Sequence, residues 1–457
     1  MKVDVEKGLP MKSMNQLLRT ITPSQILVLG FLSFIMIGAF LLKLPVSSAN
    51  GDSISFLDAL FTATSALSVT GLNVVNPGET FSLFGEIVIL CLIQVGGLGF
   101  MAFTTLFAFL IGKKIGFKER LLLLEAFNKV DFRGIVKMIR YILIFTAVIE
   151  GIGFVLLSIR FVPQFGIEKG MYFALFHSIS AFNNAGFDLF GTSLLSYQTD
   201  FYVNLVISSL FIIGGIGFVL IIELLEYRYV RRVSLHTKMV LAMTGILVFV
   251  GTLLVLAIEW NNPSTLGALP IGDKLLAGYF HAVTPRTAGF DSLGVHHLYP
   301  ATLFITIMLM FVGASPSSTG GGIKTTTLFT LLLAVWSMIR GRNNIVIFKR
   351  RIPYDAVYKA LTVTVLSLTL VLVVTMILTI TEHKHADLLM ILFEAVSAFG
   401  TVGLTMGLTP LLTDFGKVLI IFVMIIGRLG PITLAYAIAK SKRQKPYRYP
   451  EEKPLIG

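Results

Sequence analysis

Four segments of this 457-residue chain end on a glycine in nearly the same company. They read Phe61-Thr-Ala-Thr-Ser-Ala-Leu-Ser-Val-Thr-Gly71-Leu, Phe176-His-Ser-Ile-Ser-Ala-Phe-Asn-Asn-Ala-Gly186-Phe, Phe280-His-Ala-Val-Thr-Pro-Arg-Thr-Ala-Gly289-Phe and Phe393-Glu-Ala-Val-Ser-Ala-Phe-Gly-Thr-Val-Gly403-Leu. The glycines are 115, 103 and 114 residues apart. A loop stripped of hydrogen-bond donors presents its carbonyl oxygens. Glycine reaches φ > 0 without steric cost, so successive carbonyls can point one way. Four such loops on a common axis can replace the water shell of a monovalent cation. The candidate coordinating residues are Ser68, Val69, Thr70 and Gly71; Asn183, Asn184, Ala185 and Gly186; Arg286, Thr287, Ala288 and Gly289; and Gly400, Thr401, Val402 and Gly403. Arg286 is read as a brace for the loop backbone, because a cation in the ion path would repel the ion.

The elements that must position these loops follow from composition. The chain is 55% hydrophobic and 14% charged, with a mean hydropathy of +0.84. Soluble domains carry about 25% charged residues, so a soluble enzyme is excluded. Long apolar runs cover roughly 24–44, 81–111, 136–159, 201–225, 239–258, 301–338, 356–380 and 417–439. Shorter runs near 55–67, 170–182, 275–284 and 388–399 hold too few residues to cross a bilayer, which needs about 20. No cleavage site follows the first run, so it is expected to be retained. Of 37 Lys and Arg, 28 fall in alternate connections. The positive-inside rule makes these cytoplasmic, with both termini inside. The net charge of +12 therefore reflects topology rather than nucleic-acid binding. One cysteine, Cys91, allows no intrachain disulfide. The expected fold is an all-α integral membrane protein with eight long helices. They form four tandem helix–pore-helix–helix repeats around a pseudo-fourfold central pore. A cytoplasmic N-terminus (1–23) precedes repeats at 24–112, 135–228, 237–340 and 354–440, and a cytoplasmic C-terminus (441–457) follows.

A second glycine mark recurs 24 to 28 residues after each loop glycine: Gly96-Gly-Leu-Gly, Gly214-Gly-Ile-Gly, Gly313-Ala-Ser-Pro and Gly427-Arg-Leu-Gly-Pro. Close helix packing accounts for the first two equally well. In the sixth long run, Gly313, Ala314, Ser315, Pro316, Ser317, Ser318, Thr319, Gly320, Gly321 and Gly322 cannot stay helical. This stretch is read as an intramembrane gate loop, with Lys324 at its base and Arg428 as its nearest anchor. The competing reading is a membrane exit at Ser315. Asp58, Glu168, Asp273 and Asp387 open the short helices, as caps or as cation-attracting charges. Asp188 and Asp291 are expected to face the outer vestibule. Glu150 is central in its span and has no partner legible in the sequence.

At this point the residues carry a resemblance. Thr401-Val-Gly-Leu is similar to the start of the potassium-channel filter, Thr-Val-Gly-Tyr-Gly. The four repeats resemble the potassium transporter superfamily of Trk, Ktr and HKT proteins, above all the membrane subunit of bacterial Ktr systems (KtrB or KtrD type). Ser180-Ala-Phe-Asn-Asn-Ala-Gly-Phe, Ala282-Val-Thr-Pro-Arg-Thr-Ala-Gly-Phe and Glu394-Ala-Val-Ser-Ala-Phe-Gly-Thr-Val-Gly-Leu carry it. The resemblance implies a multi-pass plasma-membrane potassium uptake protein. It would be a homodimer with one pore per subunit, regulated by a cytoplasmic nucleotide-binding ring of the RCK type (KtrA or KtrC type). K+ is the implied cargo, with Na+ as a possible companion and no organic cofactor. In this family a glycine in every filter goes with potassium selectivity. A Na+/K+ symporter or a less selective cation channel of the same fold is the alternative. An organic-solute transporter would use inverted repeats, whereas these all run in one orientation. An intramembrane enzyme would want paired acids or clustered His, which the spans lack.

Overall fold

The computed structural model describes residues 23–99, 135–383 and 386–438. The basic termini and most of the 113–140 connection lie outside the described residues. In the first repeat, α1 (Pro23–Lys43), the 13-residue α2 (Phe56–Ser68) and α3 (Leu83–Leu98) follow in order. The second has α4 (Ile135–Phe165), α5 (Ile167–Phe182), α6 (Phe201–Gly215) and α7 (Phe218–Val230). The third has α8 (Leu235–Glu259), α9 (Ile271–Val283), α10 (Pro300–Phe311) and α11 (Thr325–Ile339). A two-stranded antiparallel hairpin, β1 (Ile345–Ile347) and β2 (Arg350–Ile352), interrupts the expected all-helical chain. The fourth repeat has α12 (Tyr354–Thr381), α13 (Leu388–Gly400), α14 (Asp414–Leu429) and α15 (Pro431–Ile438).

Of the eight expected long helices the sixth was read as interrupted, and the other second helices prove interrupted or shortened as well. Among the described residues, only the first helix of each repeat is a long single span, and no second helix runs on unbroken past its glycine mark. α3 and α14 end against Gly99 and Gly430, with φ of 80° and 84°, and Gly217, with φ of 98°, separates α6 from α7. An α-helix cannot continue through that conformation, and glycine adopts it freely. At Gly217 the chain turns so sharply that α6 and α7 lie 93° apart. The long interruption in the third repeat is therefore an enlarged version of a break that its counterparts share. Hydropathy hides such breaks, because the flanking residues stay apolar.

The repeats close into a ring. Each second helix packs on the pore helix of the next repeat: α3 on α5, α6 on α9, α10 on α13, and α14 back on α2. Phe61, Phe176, Phe280 and Phe393 hold the same place in the four pore helices, and all are fully buried. The outer faces carry exposed Leu29, Phe40, Ile144, Val155, Phe249 and Leu372, as a lipid-facing surface requires. Corner acids tie helix ends together. Glu259 accepts from Tyr299 N (2.9 Å) and Thr302 Oγ1 (2.5 Å), and Glu382 from Thr413 Oγ1 (2.5 Å). The seam between the fourth and first repeats is fastened by Lys417 Nζ on Asp58 Oδ1 at 2.7 Å. Asp58 also completes a capping box with Ser55, whose Oγ accepts from Asp58 N at 3.1 Å.

This seam pair is only partly solvated, so breaking it with Lys417→Met should lower stability by about 1–3 kcal/mol, between the exposed and buried limits. Thermal unfolding of the detergent-solubilised protein measures it. An unchanged midpoint would show that the seam does not depend on the pair.

Candidate ion pathway

The four loop glycines form a closed backbone ring. Gly71, Gly186, Gly289 and Gly403 have φ of 90°, 68°, 76° and 95°. A methyl group added at Gly71 would lie 2.5 Å from Ala185 O, and one at Gly186 would lie 3.0 Å from Ala288 O. One at Gly289 would strike Val402 O, and one at Gly403 would strike Thr70 O. Each glycine therefore faces the carbonyl that precedes the next glycine, in the order 71, 186, 289, 403 and back to 71. Side chains are excluded from the ring by contact as well as by φ.

The residue two places before each glycine is also left-handed: Val69 (58°), Asn184 (60°), Thr287 (70°) and Thr401 (50°). Non-glycine residues there are uncommon and carry strain. Sequence reading missed this, although the strain recurs in all four repeats. A pore-helix hydroxyl steadies every turn. Ser65 and Ser397 accept from the N–H of Gly71 (3.1 Å) and Gly403 (3.2 Å). Ser180 and Thr284 donate to Phe187 O and Phe290 O, both at 2.7 Å. These hydroxyls recur in register, and that was the available sequence signal.

The first residues of the candidate stretches make four different sets of contacts, and Ser68 Oγ lies 2.7 Å from Thr70 Oγ1 of its own loop. Ser68 Oγ donates to Thr64 O at 2.6 Å. Asn183 Nδ2 donates to Gln94 Oε1 (3.0 Å) and Glu150 Oε1 (2.9 Å). Gly400 lies where a methyl would come within 2.5 Å of Met310 O. Arg286, expected to brace the loop backbone, instead donates to Thr244 Oγ1 on α8 at 3.3 Å. Its own N–H bonds Val283 O, so it belongs to a last helical turn that aims its side chain at the neighbouring helix. Asp188 and Asp291, expected to face the outer vestibule, also cap the loops that follow the glycines. Asp188 Oδ1 accepts from the N–H of Phe190 (2.9 Å) and Gly191 (2.8 Å). Asp291 Oδ1 accepts from Leu293 and Gly294, both at 3.0 Å. Short acids after a turn satisfy their own loop before they face water.

Beneath the ring lies the 313–322 loop. Its two arms pair through a Val312–Ile323 bridge. The loop fills the notch left by the α6–α7 break. Ser315 N donates to Gly215 O (3.0 Å), Thr319 N to Gly214 O (3.4 Å), and Phe218 N to Ser317 O (2.8 Å). Backbone groups freed by one interruption are thus satisfied by the other, as an apolar medium demands. The loop also touches the ring's lower rim. Thr319 Oγ1 donates to Asn184 Oδ1 (2.8 Å), and Gly321 N donates to Thr401 Oγ1 (3.0 Å). Asn184 Nδ2 reaches Thr287 Oγ1 at 3.2 Å. Two cations hold the loop base. Lys324 Nζ donates to Gly320 O at 2.7 Å, and Arg428 donates to Thr319 O and Gly96 O. The second glycine mark explains itself here. A side chain at Gly96, Gly214 or Gly427 would strike Leu67 O, Phe182 O or Phe399 O near the end of its own repeat's pore helix.

Comparison with known proteins agrees with this geometry. The TrkH cation transport protein family model matches residues 3–447. The Ktr system potassium uptake protein B of Bacillus subtilis is 49% identical over 436 residues, which is 95% of this chain and 97% of that protein. The potassium/sodium uptake protein NtpJ of Enterococcus hirae is 43% identical over 443 residues, 96% of this chain and 98% of its own. The crystal structure of the potassium transporter TrkH from Vibrio parahaemolyticus superposes with a TM-score of 0.71 at 19% identity. That match covers 92% of this chain and 86% of the other, and it shows the fold. Four helix–pore-helix–helix repeats closed around one axis, with a family model running nearly end to end, mean that the chain belongs to the TrkH family of cation transport proteins.

Proposed function

We propose that this chain is the pore subunit of a potassium uptake system in the plasma membrane. K+ passes through the glycine ring, and the 313–322 loop closes the path below it. The observation that carries the reading is the ring itself, where each glycine abuts the carbonyl before the next one. Such a ring offers carbonyl oxygens from four sides and admits no side chain. The subunit works as a homodimer with a cytoplasmic nucleotide-binding ring of the RCK type, and both its termini are cytoplasmic. The Ktr system names of its relatives support a partner subunit. The basic 113–140 and 340–359 connections, the second carrying the hairpin, are the contact surfaces for that ring. Na+/K+ symport or less selective cation transport is the second reading, favoured by the potassium/sodium name of the Enterococcus relative.

Serine in place of Gly71, Gly186, Gly289 or Gly403 meets a carbonyl and a left-handed φ together. Each substitution should cut potassium uptake and weaken discrimination against sodium. Growth complementation of potassium-requiring cells, with sodium competition, reads both effects. If all four variants grow and discriminate as the parent does, the ring is not the filter. A parent that takes up both ions equally would favour the second reading.

Gating follows from the energetics. The membrane potential supplies about 2.3 kcal/mol per 100 mV for each inward cation, so an open filter would leak continuously. The loop fits a closing role: Lys324 and Arg428 place positive charge at its base, and Thr319 and Gly321 tie it to the ring. Shortening Ser315–Gly322 should raise flux sharply in liposomes. Arg428→Ala should also raise it, and the two changes should not add, since both act on one closed state. Flux unchanged or lowered in well-folded loop-shortened protein would show that the segment is not a gate.

A further inference from the structure

Behind the second loop sits a buried polar cluster that the ion path does not use. Glu150 lies midway along α4, and it is 8% exposed in an otherwise apolar span. Among the described residues no Lys or Arg pairs with it. Its Oε2 accepts from Gln94 Nε2 at 3.1 Å, and its Oε1 accepts from Asn183 Nδ2 at 2.9 Å. Asn183 Nδ2 also reaches Gln94 Oε1 at 3.0 Å. Gln94 belongs to the first repeat, while Glu150 and Asn183 belong to the second. Space for the Asn183 side chain comes from Gly97, where a methyl would overlap it. The carbonyl of Glu150 is fixed in turn, because Ser178 Oγ of the pore helix donates to it at 2.7 Å. Asn183 immediately precedes the strained, left-handed Asn184, whose side chain touches Thr287 and Thr319.

We infer that Glu150 is a positioning residue for ion selectivity. With Gln94 it holds the Asn183 carboxamide and so fixes the second filter loop against the first repeat. The inference rests on the reading of the glycine ring as a potassium filter. Glu150 is suited to the task because its two carboxyl oxygens face two amide donors at once. Glutamine at 150 can still accept from Asn183 and can donate to a reoriented Gln94. Alanine removes the acceptor of Gln94 Nε2 and leaves Asn183 Nδ2 with Gln94 Oε1 and Ile179 O alone, so the link across the repeats loosens.

The test uses the full chain reconstituted in liposomes, with potassium and sodium uptake measured on the same preparation. Glu150→Ala should lower the potassium-to-sodium uptake ratio about tenfold, the scale of one lost hydrogen bond. Glu150→Gln should keep most of the parent ratio. Gln94→Ala should lower the ratio in the same direction, and it carries the test should Glu150→Ala not fold. A parent ratio retained in both folded alanine variants overturns the inference while the filter reading stands. A parent protein with no preference for potassium overturns the filter reading, and the inference falls with it. A drop in total uptake with an unchanged ratio would assign Glu150 to folding alone and would likewise overturn it.

Discussion

Backbone that leaves helical geometry inside a bilayer must find its hydrogen-bond partners within the protein. This chain places five such stretches near one axis: four pore loops and the longer loop beneath them. The pore-helix hydroxyls at Ser65, Ser180, Thr284 and Ser397 each complete one turn. The carbonyls freed where α6 ends are taken up by Ser315 and Thr319 of the lower loop. Glycine is the enabling residue because carbonyl groups stand where its Cβ would be. That contact recurs both around the ring and between pore helices and second helices.

The fourfold likeness governs the backbone, while the side chains depart from it. Val69, Asn184, Thr287 and Thr401 share a left-handed conformation, yet only the last three have polar groups for contact with one another or the lower loop. The equivalents of Asn183 are Ser68, Arg286 and Gly400, and each is tied to a different neighbour. An asymmetric loop from the third repeat needs asymmetric partners, and the side chains supply them. Arg428 shows the same logic. It occurs in the fourth repeat alone of the glycine marks, and it bridges the loop to the end of the first repeat's second helix.

Much of this was legible in the sequence because the repeats are written in one register. The short helices, the loop glycines and the alternation of basic connections all follow from spacing. The break at 313–322 was legible from its ten small and helix-breaking residues, whereas those at Gly99 and Gly217 were not, since they sit in apolar surroundings that read as continuous spans. Contacts across repeats were also out of reach. Gln94 and Glu150 are 56 residues apart, and Lys417 and Asp58 are 359 apart. Arg286 was assigned to its own loop because its neighbours in sequence are the loop, whereas helical geometry turns it to Thr244. The loop caps made by Asp188 and Asp291 were legible in principle, since a carboxylate two residues past a turn readily caps that turn.

The central claim is that backbone carbonyls beside Gly71, Gly186, Gly289 and Gly403 hold the ion. Anomalous diffraction from crystals grown with rubidium, a potassium surrogate, tests it most directly. The account predicts a peak on the axis between the four glycine loops, absent when sodium replaces rubidium. A peak found only beside acidic side chains, or none on the axis in crystals that hold rubidium elsewhere, would contradict it.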